Sequence, residues 1–192
     1  MRVQNTLRGM KTVGFLACAL CGLSGIARGQ SDSSMKQIKA IYLGKMLNFV
    51  EWPDGAFSAR SEAIRFCVEG DPLLGFALTQ ELKSTTIGER RVEVRRVQKE
   101  QDLKGCHALF VGGTDGKHIA KVLESVRGTN VLTFGEAAKF LEAGGVVQLS
   151  YEKSAIRLGV NLAAARNAGL KMDARLLELA KRVVKTGEMP GG

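Results

Sequence analysis

Few residues in this 192-residue chain have types and spacings that suggest chemistry. The candidates are four cysteines, two histidines, one glycine pair and one basic segment. Cys106 and His107 are adjacent, the combination from which a thiolate nucleophile and its base are built. They sit in the apolar run Cys106–Val111, which reads as a strand, and neighbours on a strand point to opposite faces, so the two side chains are not expected to touch. Neither His107 nor His118 belongs to an HxxxH or HExxH spacing, so no metal site is expected. There is no GxSxG elbow and no evident base for Ser150 or Ser154. Glu51, Asp54, Glu69 and Asp71 stand beside turns, where capping explains a carboxylate. The expectation is a protein that is not an enzyme and needs no cofactor.

Binding is the remaining chemistry. Gly112-Gly113, at the end of a strand and ahead of a helix, are placed to free backbone N–H groups for an anion, although GxGxxG and Walker motifs are absent and a tight turn explains the pair equally. The segment from 157 to 175 concentrates Arg157, Asn161, Arg166, Lys171 and Arg175, which suit a small anion or an acidic partner surface; the alternative is a solvated basic face. Trp52, the only tryptophan, is either a packing residue or a partner contact.

Hydrophobic periodicity supplies the elements that must position these groups. From Met35 to Pro53, Ile38, Ile41, Tyr42, Met46, Phe49 and Val50 recur at helical spacing, with Lys36, Lys39 and Lys45 mostly off that face, which predicts an amphipathic helix ended by Trp52-Pro53. A strand over 63–69 leads through Gly70 to Asp71 as N-cap and Pro72 at the first helical position. Val92 to Val97 alternates as a half-exposed or edge strand. Two further strands follow, 106–111 before a helix over 115–126 and 130–134 before a short helix over 136–143 closed by Gly144-Gly145. Residues 146–151 and 155–160 form an antiparallel hairpin, and a C-terminal helix runs from Asp173 to near Gly187. Repeated strand–helix units predict a single α/β domain: a mostly parallel sheet flanked by helices, with a C-terminal antiparallel hairpin.

Residues 1–29 combine Arg2, Arg8 and Lys11, an apolar run over 12–26 and small residues at 27–29, the pattern of a cleaved signal peptide; the mature domain is then 30–192. Removing the leader takes four basic residues and no acid, lowering the formal net charge from +9 to +5. The remaining basic residues alternate with acids, and together with export this argues against nucleic acid as a partner. Export also leaves only Cys67 and Cys106, and two thiols in an oxidising compartment ordinarily pair. A bond closing such a loop stabilises a fold by about 4 kcal/mol. It serves as a structural staple or as a redox switch, and a sheet order beginning 2-1-3 would bring the two thiols together.

Several stretches taken in order resemble the YfiR/HmsC family of periplasmic proteins. They are Asn48-Phe49-Val50-Glu51-Trp52-Pro53, Cys67 to Pro72, the NVLTFG strand from Asn130, Gly144-Gly145, and Ile156-Arg157 through Asn161-Leu162 and Ala165-Arg166 to Lys171. The resemblance implies a periplasmic repressor that binds the sensory domain of an inner-membrane diguanylate cyclase, holding down cyclic di-GMP synthesis, exopolysaccharide and biofilm. It further implies sequestration by an OmpA-like outer-membrane lipoprotein. Cys67 and Cys106 match a family disulfide that supports folding and repression, whereas a second pair found in some members is missing. The expected form is a homodimer that contacts the cyclase through exposed apolar groups near Trp52 and the basic segment 166–175. The alternative is a periplasmic binder of a nucleotide or amino acid, with the anion at Gly112-Gly113 or Arg175.

Overall fold

The computed structural model describes residues 26–152 and 155–185. Residues 1–25 of the expected leader lie outside the described residues, as do positions 153 and 154 of the hairpin turn. Helix α1, Ile26–Met46, begins upstream of the expected cleavage point.

Where the sequence predicts one helix to Pro53, α1 stops at Met46. A 3-10 turn follows over Leu47–Phe49, and Val50–Glu51 becomes a strand, β1. It pairs antiparallel with β9, Lys171–Met172, so the chain ahead of Pro53 is extended for three residues instead of one. The buried face of α1 also differs from the expected one. Ile38 and Tyr42 are each 42% exposed, while Lys39, Ala40, Leu43 and Leu47 are buried. Contact with α2, Pro72–Leu82, decides this: the small Ala40 and Gly44 let α2 approach, and a Cβ on Gly44 would collide with the Leu82 side chain. Close backbone approach over small residues outweighs burial of the largest apolar groups on that helix.

Strand β2, Ile64–Glu69, occupies the middle of the sheet and runs into α2 through Asp71, whose Oδ1 accepts from the Leu74 N–H at 3.0 Å. A hairpin of β3, Thr86–Ile87, and β4, Arg90–Val97, follows, with Gly88 at φ +59° in its turn. Then come β5, Ala108–Val111, α3, Gly116–Ser125, and β6, Leu132–Gly135. Strands β7, Val147–Glu152, and β8, Ala155–Asn161, form the expected antiparallel hairpin; α4, Leu162–Asn167, and α5, Ala174–Leu179, follow.

With a last strand β10, Arg182–Val184, the sheet order is β10-β8-β7-β6-β5-β2-β4-β3, and β4, β2, β5, β6 and β7 are mutually parallel. The fold is thus a mostly parallel sheet flanked by helices in one domain. Two expectations fail locally. Residues 136–143 form successive turns instead of a helix, because the buried Phe140 ring lies where a Cβ on Gly135 or Gly145 would be, and so packs directly against glycine backbone. The C-terminal helix ends at Leu179, and Arg182–Val184 become β10, added parallel to β8. The free edge of β8 offers the β-branched Val183 and Val184 a ladder that outweighs their helical spacing. Phe66, Phe110 and Phe134 fill one face of the sheet beneath α1 and α2; Cys67, Leu109 and Val111 meet α3 on the other.

Candidate partner-binding surface

At the amino ends of the parallel strands, Pro53 turns the chain across the sheet edge. Trp52 is half-buried, and its Nε1–H donates to the His107 carbonyl at 3.1 Å. The Trp52 ring meets Phe57 edge-on at 6.4 Å, Phe57 stacks on the His107 imidazole at 4.4 Å, and the Arg90 guanidinium covers the other part of Phe57 at 3.7 Å. Arg90 also donates to the Ala59 and Glu62 carbonyls, at 2.9 and 2.7 Å. One stack thereby pins the 52–62 loop to β4 and β5.

His107 is the buried centre of this stack. Its Nδ1 accepts from the Arg65 N–H at 3.0 Å, so the proton is on Nε2, which donates to the Ala56 carbonyl at 3.1 Å. Burial pushes its pKa below the usual imidazole range, with the Ala56 carbonyl opposing that shift. Both nitrogens are engaged and the ring is held neutral, which suits a structural part. Arg65 pairs with Glu62, and the hydrogen bond from the Ser58 N–H is foremost in lowering the Glu62 pKa. Cys106 is bonded to Cys67 with 5.9 Å between Cα atoms, across the loop that the β4-β2-β5 order closes. Cys67 is inaccessible and Cys106 is 5% exposed on a cavity of about 410 Å³.

The predicted binding residues separate into two groups. The β1–β9 ribbon sets Lys171 opposite Glu51, and Trp52, Pro53, Asp54, Gly169 and Lys171 line a shallow depression of about 350 Å³. Arg175 lies against the same ribbon: the Asp173 N–H donates to the Phe49 carbonyl, and the Arg175 guanidinium stands 5.4 Å above the Phe49 ring. Its hydrogen bonds hold the Asp173 carboxyl down at a pKa of about 2. Arg166 is exposed on α4, whose end leads through Gly169 into β9. Trp52 and Lys171 therefore line one depression, Arg175 stands over Phe49 at the start of the same ribbon, and Arg166 is one short helix away.

Arg157 belongs instead to β8, exposed opposite Ser150. Asn161 is buried: its Oδ1 accepts from the Ala164 N–H and its Nδ2 donates to the Leu141 carbonyl, both at 2.9 Å, so it caps α4 and has no amide end left for a partner. Gly112 is equally committed, since its N–H donates to the Glu69 carbonyl at 2.9 Å and a Cβ there would lie 2.8 Å from that oxygen. Its glycine serves close backbone approach to Gly70. Phe57, Arg90 and His107 carry the amino-edge stack without having been singled out as binding groups, because their meeting depends on contacts 33 to 50 residues apart that no local spacing encodes.

A family model described as YfiR/HmsC-like matches residues 36–181. The chain belongs to the YfiR/HmsC-like family. The family is one of periplasmic proteins, and among the described residues no helix is long and apolar enough to cross a membrane. No curated protein matches the sequence. Among solved structures, the ABC domain in complex with L-Trp from Streptococcus pneumoniae is 12% identical with a TM-score of 0.50, over 73% of this chain and 61% of that one. A conserved domain protein from Vibrio cholerae O1 biovar El Tor is 13% identical with a TM-score of 0.47, over 77% of this chain and 60% of that one. The chain spans less than two thirds of either, and likeness at these identities concerns the fold alone.

Proposed function

We propose that this YfiR/HmsC-like protein is a non-enzymatic repressor, exported by a cleaved signal peptide. It binds the periplasmic sensory domain of an inner-membrane diguanylate cyclase and lowers cyclic di-GMP synthesis, thereby limiting exopolysaccharide and biofilm. The family match over residues 36–181 carries this reading. The geometry supports protein contact at the β1–β9 ribbon, where exposed Lys171 borders the half-buried Trp52 on a shallow surface and exposed Arg175 stands over Phe49 beside it. The protein acts as a homodimer, and an OmpA-like lipoprotein competes for it.

Deleting the gene in a strain that retains the cyclase should raise cyclic di-GMP, and restoring it should lower the level again. A Lys171→Glu, Arg175→Glu double variant, exported and folded, should fail to restore it. An unchanged level on deletion would sink the reading. Full repression by the double variant would move the contact off the ribbon. The competing assignment, a small-ligand binder, calls for a nucleotide or amino acid that binds the purified chain in calorimetry and leaves cyclic di-GMP unaffected by deletion.

A further inference from the structure

Strand β4 is paired along its inner side and largely bare along its outer side. Six of its residues, Val92 to Val97, match Ile64 to Glu69 of β2. On the other side β3 reaches only Arg90 and Arg91, and one more bond runs from the Val92 N–H to the Thr85 carbonyl at 3.2 Å. The backbone groups of alternate residues in a strand point to the same side. Because the Val92 amide points outward, those of Val94 and Arg96 do as well, and among the described residues no neighbouring strand pairs with them. Val92 to Val97 contains neither proline nor glycine, so no backbone interruption protects this edge.

Charge is what protects it. The strand reads RRVEVRRV, four arginines to one glutamate. Arg90 is spent on Phe57 and the 59–62 carbonyls, and Arg91 stands 4.0 Å from Glu93. Arg95 and Arg96 are exposed and have no carboxylate within ion-pair distance among the described residues. The two faces of the edge differ. Val92 is buried and Val94 partly so on the α2 side, where the Arg96 stem would meet a Cβ on Gly75, while Arg91, Glu93 and Arg95 occupy the opposite face. A second copy of the same strand would bring four more arginines with one more glutamate, and like charges across a ladder are destabilising. An acidic strand would turn the same arginines into opposite-charge cross-strand pairs.

We infer that the outer edge of β4 is a strand-addition site for an extended acidic segment of a partner protein, with apolar side chains toward α2 and carboxylates toward Arg91 and Arg95. The site is separate from the β1–β9 ribbon and does not depend on which protein that ribbon contacts.

The test uses the oxidised, isotopically labelled full chain and a capped seven-residue peptide of alternating valine and glutamate, with the valine–lysine peptide as control. The glutamate peptide should slow amide exchange at Val94 and Arg96 at least tenfold, and an Arg95→Glu, Arg96→Glu variant should bind it at least tenfold more weakly. Val94→Pro removes an outward N–H that the β2 ladder does not use, so it should abolish peptide binding while leaving the near-ultraviolet circular dichroism unchanged. If that variant misfolds, the arginine reversals decide. The inference is overturned if the lysine peptide binds as well, if no peptide slows exchange at Val94 and Arg96, or if that slowing appears without peptide and grows with protein concentration, which would identify a second copy as the occupant.

Discussion

At the carboxyl ends of β2, β5 and β6 the prominent side chains are polar and paired with one another: Glu69 with His118 at 3.0 Å, Asp71 with Lys36, and Glu136 with Lys39 at 2.7 Å. At the amino ends they are aromatic, Trp52 edge-on to Phe57 and Phe57 stacked on His107, beside the Cys67–Cys106 bond. Open parallel sheets commonly bind ligands at the carboxyl ends, in the crevice where strand order reverses. Here that crevice lies between β2 and β5, where Gly70 and Gly112 approach and Gly112 spends its N–H on the Glu69 carbonyl. Of the stretches that resemble the family, Asn48 to Pro53 builds the amino edge and the ribbon beside it, whereas Cys67 to Pro72 runs through β2 into this crevice. The carboxyl-end crevice is narrowed by backbone approach, and the ring cluster stands at the opposite end of the sheet.

The largest test of that contrast is the covalent one. Cys67→Ser should cost about 4 kcal/mol in denaturant unfolding, since the bond closes a loop of 39-residue separation, and the variant should become insensitive to reductant. Loss of repression in step with stability marks a staple; loss of repression in a chain still folded under assay conditions marks a switch.

At the carboxyl edge, Glu136→Gln should cost about 2 kcal/mol, below the range for a fully buried pair because Glu136 keeps 27% of its side chain exposed while Lys39 keeps 7%. Lys39→Met, which removes the buried ammonium and fills its volume, should cost under about 1 kcal/mol. Equal losses in the two variants, measured by urea titration, would mean that the pair itself matters more than its desolvation.

Trp52→Phe should cost about 1 kcal/mol in the same measurement, by leaving the His107 carbonyl without its indole donor while retaining a ring against Phe57. The smallest effect is one of pH. Because His107 is neutral in the fold with its pKa lowered, the unfolded chain takes up a proton more readily. Its contribution to stability is therefore complete above the unfolded value near 6.5 and declines as pH falls from there toward the folded value. Unfolding followed from pH 8 to pH 5 should show this slope in the wild type and a flatter one in His107→Gln.

Much of the architecture is legible in local pattern. Alternation marks β2 and β4, Asp71 and Asp115 cap helices where their positions indicate, and the 147–161 hairpin forms as spaced. The misreadings cluster where two segments compete for a partner. Val50-Glu51 has helical spacing with the residues before it but is taken by Lys171-Met172, and Val183-Val184 is taken by the edge of β8. Of the binding candidates, Trp52 and Lys171 meet at one depression and Arg175 reaches Phe49 because the ribbon joins their segments; Asn161 has ordinary surface chemistry and is buried because it caps α4 beside Leu141.

The sequence by itself determined the parallel α/β class, the starts of α2, α3 and α5 and the family, since these depend on periodicity, capping and motif order within short windows. Only the tertiary structure decided which face of α1 is buried, that residues near 50 and 171 pair, that His107 is held neutral between Arg65 and Ala56, and that β4 keeps an open edge. Each of those depends on which distant segment reaches a backbone group first and packs closest, and that competition is settled by the geometry of the whole sheet.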